Sequence, residues 1–124
     1  METIKAYTDL EQSKKLAEIL PLETADMFLA MNGILPVMSK YIDNGLVTAD
    51  ETAIPCWSLA TLLDILSEEI NVQGIIYSIN IHTKNKKWFI DYKCNNEEFV
   101  GVYSNIFVDA CVAMIERLHE LNLL

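Results

Sequence analysis

From Ile75 onward the hydrophobic residues recur with a period of two. Ile75, Tyr77, Ile79 and Ile81 alternate with Ile76, Ser78, Asn80 and His82, the signature of a strand with one buried face. Trp88, Ile90 and Tyr92 then alternate with Lys87, Phe89, Asp91 and Lys93, and Phe99 to Tyr103 supplies a third run. Thr83-Lys84-Asn85-Lys86 and Cys94-Asn95-Asn96-Glu97 separate the runs, and asparagine tolerates the left-handed backbone that tight turns need. Short links make consecutive strands antiparallel neighbours. The pattern predicts a three-stranded meander over about 75–82, 86–93 and 98–104, with Gly101 marking a bulge or a close approach.

Elsewhere the period is helical. Phe107, Ala110, Cys111, Met114, Leu118 and Leu121 form one stripe, predicting an amphipathic helix over about 106–121 with Asn105 as its cap. A sheet with one apolar face needs a cover, and this stripe supplies it. Thr8-Asp9-Leu10-Glu11 reads as a capping box opening a first helix that Pro21 ends. Leu59, Leu62, Leu63 and Leu66 share a face of a middle helix that Ser58 caps and Asn71 to Gly74 closes.

Residues 22–56 are the least regular. Met27 to Met31 reads as either a short helix or a buried strand, since so short a run cannot separate the two. Asn32-Gly33 and Asp43-Asn44-Gly45 are turn signals, Val37 to Ile42 suits a short helix, and Val47 to Ile54 reads as a polar loop. The expected fold class is α+β, as one domain over residues 1–124.

Composition adds two expectations. The hydrophobic fraction is 52%, slightly above the usual ~45–50%, which leaves room for an apolar interface and a homodimer. No apolar run is long enough for a membrane span, and no signal pattern opens the chain, so a cytoplasmic protein without a membrane partner is expected. Cys56, Cys94 and Cys111 are odd in number and form no CxxC pair, so neither a disulfide framework nor a zinc site is indicated.

The net charge of −9 is unevenly spread. Residues 21–72 set Lys40 against Glu23, Asp26, Asp43, Asp50, Glu51, Asp64, Glu68 and Glu69, whereas residues 73–96 set Lys84, Lys86, Lys87 and Lys93 against Asp91. The overall sign opposes non-specific binding of nucleic acid. The hairpin lysines, next to Trp88, leave single-stranded nucleic acid as the sharper reading of that segment, against a solvated tip that discourages edge pairing.

Candidate chemistry is sparse. Cys56 opens a helix, where a thiolate would be favoured, but a nucleophile also needs a base and only His82 and His119 are available. Cys111 lies on the apolar stripe and reads as a core residue, and Cys94 sits in a turn. Glu116 and His119 have the spacing of a carboxylate–imidazole metal pair, yet no second such pair exists. Glu68-Glu69 and Glu97-Glu98 are adjacent acids whose side chains point apart. Trp57 and Trp88 suit core or interface anchors. Phosphate-binding, zinc-protease and serine-hydrolase motifs are all missing. No metal, cofactor or catalytic residue is expected. The candidate partner-binding residues are Lys84, Lys86, Lys87 and Phe89.

Three strings carry a resemblance: TDLEQSKKLAEILPLETADM from Thr8, PCWSLATLL from Pro55 and DACVAMIERLHELNLL from Asp109. They resemble a group of small proteins of unassigned activity from phage-related and mobile elements of gut bacteria. Members of that group tend to carry proline where this chain has Ile106. Three strands followed by a helix also resembles the partial double-stranded-RNA-binding-like fold of HicB-type antitoxins, an analogy of topology alone.

The leading expectation is therefore a non-catalytic accessory or interaction protein of a mobile element, acting as a homodimer. The alternative is an antitoxin-like or nucleic-acid-associated regulator. A small hydrolase or metal enzyme using Cys56, Glu116 or His119 ranks last.

Overall fold

A computed structural model describes residues 5–29, 36–38 and 54–124. The chain opens with helix α1 (Leu10–Ile19), and a single 3-10 turn follows at Leu22–Thr24. Three short strands come next, β1 (Met27–Leu29), β2 (Pro36–Met38) and β3 (Ile54–Cys56). Helix α2 (Leu59–Ile65) leads into β4 (Glu69–Val72), β5 (Ile75–Lys84), β6 (Lys87–Cys94) and β7 (Glu97–Ser104). Helix α3 (Phe107–Glu120) completes the α+β fold.

Strands β4 to β7 form one antiparallel sheet in sequence order. The predicted three-strand meander is thus correct in order and gains a fourth strand. Helix α2 ends at Leu66, and Asn71 to Gly74, expected to close it, instead carries the end of β4 and a hairpin turn. Three two-residue turns link the four strands, with positive φ at Gln73 and Gly74, at Asn85 and Lys86, and at Asn95 and Asn96. Paired positive φ values give the turn twist that matches the strands.

Met27 to Leu29 is a strand, which settles the helix-or-strand alternative there, and β1 pairs with both β2 and β3. Pro36–Met38 is likewise strand rather than part of a helix. The expected turns at Asn32-Gly33 and Asp43–Gly45, the remainder of the helix over Val37–Ile42, and residues 47–53 of the polar loop lie outside the described residues.

Two caps differ by one residue. Asp9 caps α1: its carboxylate accepts from the Gln12 backbone N–H at 2.9 Å, and Gln12 Oε1 accepts from the Asp9 N–H. Thr8 cannot cap because its hydroxyl is buried and accepts from the Trp57 backbone N–H at 3.1 Å. Ile106, not Asn105, is the cap residue of α3, and its N–H donates to Ser104 Oγ. Ser58 caps α2 as expected, accepting from the Thr61 N–H.

The core lies on one side of the four-stranded sheet. Ile70, Ile79, Ile90, Tyr92, Val100 and Val102 face the α3 stripe of Val108, Cys111, Met114, Ile115 and Leu118. Leu16 and Leu20 of α1, Leu62 and Leu66 from the α2 segment, and Trp57 fill the same cluster. Helix α2 therefore lies with the core and does not cover the sheet's outer side. Trp88 stacks on Phe107 with ring centroids 4.1 Å apart, which fixes the start of α3 on the inner face. Each such apolar side chain contributes roughly 1.5–3 kcal/mol on full burial.

A candidate interaction face

Side chains alternate along each strand, so the register fixes what the outer face displays. From the β5–β6 hairpin inward, Lys84 lies opposite Lys87, His82 opposite Phe89 and Tyr103, Asn80 opposite Asp91 and Gly101, and Ser78 opposite Lys93 and Glu98. Glu69 joins the last row from β4. Among the described residues, no element covers this face.

The second row is aromatic. His82 and Phe89 have centroids 5.2 Å apart and ring planes within 7°. Phe89 and Tyr103 follow at 5.6 Å and 28°. Parallel rings this close cannot lie side by side in one plane without edge atoms colliding, so they overlap as an offset stack. Phe89 thereby has a neighbouring ring on each of its faces. Lys87 Nζ sits 5.1 Å from the Tyr103 ring centroid, a cation–π contact. Tyr103 remains 63% exposed.

The predicted residues Lys84, Lys87 and Phe89 thus share one face, and Lys86 occupies the adjoining turn. Lys84 and Lys87 are like charges directly across a ladder, an arrangement that is locally unfavourable.

The third and fourth rows are acidic. Asp91 is only 4% exposed. Its Oδ2 is 4.0 Å from Lys93 Nζ, and its buried Oδ1 has no hydrogen-bond partner. Opposite it, a Cβ on Gly101 would lie 2.6 Å from Glu98 Oε1. Gly101 therefore permits the close approach expected of it, and the Glu98 carboxylate lies across its backbone. The bulge is nearby, where the register shifts between Tyr92 and Lys93 and leaves Phe99 unpaired.

Sequence reasoning left Tyr103, Asp91, Glu98 and His82 out of the candidate partner-binding residues. The two-residue turn at Asn85-Lys86 was a signal for His82, since it sets that residue opposite Phe89. The turn at Asn95-Asn96 alone would set Phe89 opposite Val102, and the bulge at Phe99 moves it to Tyr103.

The other candidates do not converge. Cys56 and Cys111 are fully buried, and burial pushes both thiols up to about 12, with Asp26 adding to the shift at Cys56. An activated nucleophile needs the opposite shift. Cys94 is half-buried. His119 and Glu116 line a shallow depression with Lys15, Glu18, Ile19 and Glu120, and neither Cys56 nor Cys111 is among its lining residues. Among the described residues, no group of three His, Cys, Asp or Glu side chains could hold a metal ion. Trp57 is wholly buried, its indole N–H donating to Thr24 Oγ1 at 3.0 Å, and Trp88 belongs to the inner face. No described helix is long and apolar enough to cross a membrane.

The chain matches no protein-family model, no curated protein sequence and no solved structure.

Proposed function

We propose that this chain is an interaction protein that works through the outer face of β5, β6 and β7 rather than through a catalytic centre. The observation that carries the reading is the His82–Phe89–Tyr103 row, an aromatic ridge on the side of the sheet away from α3. Aromatic residues are enriched where proteins meet, and a core that is complete on the other face has no use for them. The lysine pair across the hairpin supports the same reading, because its mutual repulsion is relieved by an acidic partner. An accessory role in a mobile element, as the sequence resemblance implies, fits a protein of this kind.

The experiment is site-specific photo-crosslinking in cells that make the protein natively. A photoreactive phenylalanine analogue replaces Tyr103 in one variant and Leu22, exposed outside this face, in another. A discrete product from position 103 alone is the expected result. No product at 103, or the same products from both positions, overturns the reading.

The nucleic-acid alternative rests on Lys84, Lys86 and Lys87 at one hairpin. The stacked rings weigh against it, since base stacking uses open ring faces and those of Phe89 are taken by its neighbours. Oligonucleotide binding that weakens with salt and is lost in the triple lysine-to-glutamate variant would reinstate it.

A further inference from the structure

We infer that the partner of the outer face is a different protein that presents an arginine to Asp91 and Glu98. This rests on reading that face as the interaction surface and names the chemistry it recognises. The β6–β7 register builds the site. Asp91 lies across the ladder from Gly101, and Lys93 across from Glu98. The bulge at Phe99 thus returns Glu98 and Gly101 to one face. The Glu98 carboxylate lies over Gly101, its Oε1 2.6 Å and its Oε2 3.1 Å from where a Cβ would stand. Opposed Cβ positions in an antiparallel ladder are about 5 Å apart, so the Glu98 carboxylate stands beside that of Asp91.

Neighbouring carboxylates repel, and Glu69 brings a third acid to these rows from β4. Lys93 is the one cation on them, 4.0 Å from Asp91 Oδ2, and its side chain stays 39% exposed. The buried Oδ1 has no hydrogen-bond partner within the chain. Such an oxygen costs free energy that a donor from outside recovers. Arginine suits the place. Its planar fork donates to two carboxylates at once, whereas an ammonium is a compact point charge. It also packs against aromatic rings, and Phe89 lies two residues from Asp91 on the same face. Glu98 is exposed, so rotation about its side-chain bonds opens the approach to Asp91. The chain's single arginine, Arg117, lies on α3 and already donates to Glu120 at 3.0 Å. A second copy would have to give up that bond to supply the group, which favours a different protein. The lysine end asks for the opposite sign. Lys87 is four residues from Asp91 along β6, about 13 Å of strand, so the partner carries an acid roughly that far from its arginine.

Two measurements on the full chain test the assignment. The first is the thermal melt of Asp91→Asn without a partner. This change removes a buried charge and offers an amide donor to the Glu98 carboxylate, so the melting temperature should rise. An unchanged or lowered melting temperature makes Asp91 a structural group and overturns the inference. In the second, purified chain with the photoreactive analogue at position 103 is added to lysate of its native cells. Asp91→Asn and Glu98→Gln, each checked for folding by circular dichroism, should cut the crosslinked product about tenfold or more. Treating the lysate beforehand with phenylglyoxal, which blocks arginine, should do the same. Product indifferent to these changes, or of twice the chain mass, overturns the inference and leaves the role of the face intact. Product removed by nuclease, or no product at 103, removes the wider reading as well.

Discussion

Lys5 Nζ lies 2.7 Å from Asp109 Oδ1, joining residues 104 positions apart and tying the entry of α1 to the first turn of α3. The same ammonium reaches Asp9 Oδ2 at 3.0 Å and Gln12 Oε1 at 2.7 Å, while Gln12 Nε2 donates to Asp109. One cation thus serves the cap of α1 and the acidic residue of α3, and each acid sits at a helix N-terminus, where negative charge is favoured.

Replacing Lys5 with Met should therefore lower stability by about 1 kcal/mol, the scale of a partly exposed ion pair held in a network. Urea unfolding measures it. The pH dependence has two limbs. Burial opposes charge on Lys5, but its bonds to Asp109 and Asp9 outweigh it and raise its pKa above 10.5. That contribution is complete below the ordinary lysine value and fades as pH rises through the raised one. Burial likewise opposes charge on Asp9, but the Gln12 N–H and Lys5 outweigh it and lower its pKa below 3.8. That contribution is present above the ordinary value and is lost as pH falls through the lowered one. Lys5→Met should flatten both limbs.

The three thiols should react in two classes. Cys94 is half-buried and should be modified by a disulfide reagent in the native protein near pH 8. Cys56 and Cys111 should stay protected until the chain unfolds, because burial holds both as neutral thiols. A folded pKa raised to about 12 gives stability that is intact below the ordinary thiol value and lost as pH rises through 12. Tyr92, also raised to about 12 by burial, adds to the same alkaline loss. Equal, rapid labelling of all three cysteines in the native state would contradict this.

Turn substitutions should separate by φ. Lys86 and Asn96 hold positive φ without being glycine. Lys86→Gly and Asn96→Gly should relieve left-handed strain and raise the melting temperature, against an entropic cost of roughly 0.5–1 kcal/mol that makes the net gain small. Gly74 has φ 88 with open space around a Cβ. Gly74→Ala should therefore lose about 1 kcal/mol through backbone strain alone. Thermal melts of the three variants check the ordering.

How far the sequence discloses this fold depends on whether local signals compete. The long strands were legible because β5 and β6 alternate over enough residues to fix a face. Strand β4 was not, because Glu69–Val72 is four residues long and follows a leucine pattern of helical spacing, and Gly74 signals a helix end as readily as a hairpin. The string TDLEQ offers two overlapping capping boxes, Thr8 with Glu11 and Asp9 with Gln12. A contact 49 residues away decides between them, since Trp57 takes the Thr8 hydroxyl. On the candidate face, Lys84, Lys86, Lys87 and Phe89 could be picked out locally. Tyr103 and Glu98 could not, because their membership depends on cross-strand register and on a bulge at Phe99 that no single residue announces.

That same junction at Trp57 and Ser58 supports a last prediction. Asp26 accepts from the Ser58 backbone N–H at 2.9 Å and from its hydroxyl at 2.5 Å, and Ser58 in turn caps α2. Asp26→Ala leaves a partly buried N–H and a hydroxyl without their acceptor and should cost roughly 1–3 kcal/mol. Ser58→Ala removes the cap and should cost about 1 kcal/mol. The two side chains share one bond, so the double variant should lose less than the separate losses together. Asp26→Asn keeps one acceptor oxygen and should fall between wild type and Asp26→Ala. It should leave Cys56 protected, because burial is the larger cause of that thiol's raised pKa and Asp26 the smaller. A double-mutant cycle by urea unfolding, with thiol labelling of Asp26→Asn, reads both effects, and strict additivity or a freely reactive Cys56 would show that the junction is not organised around Asp26.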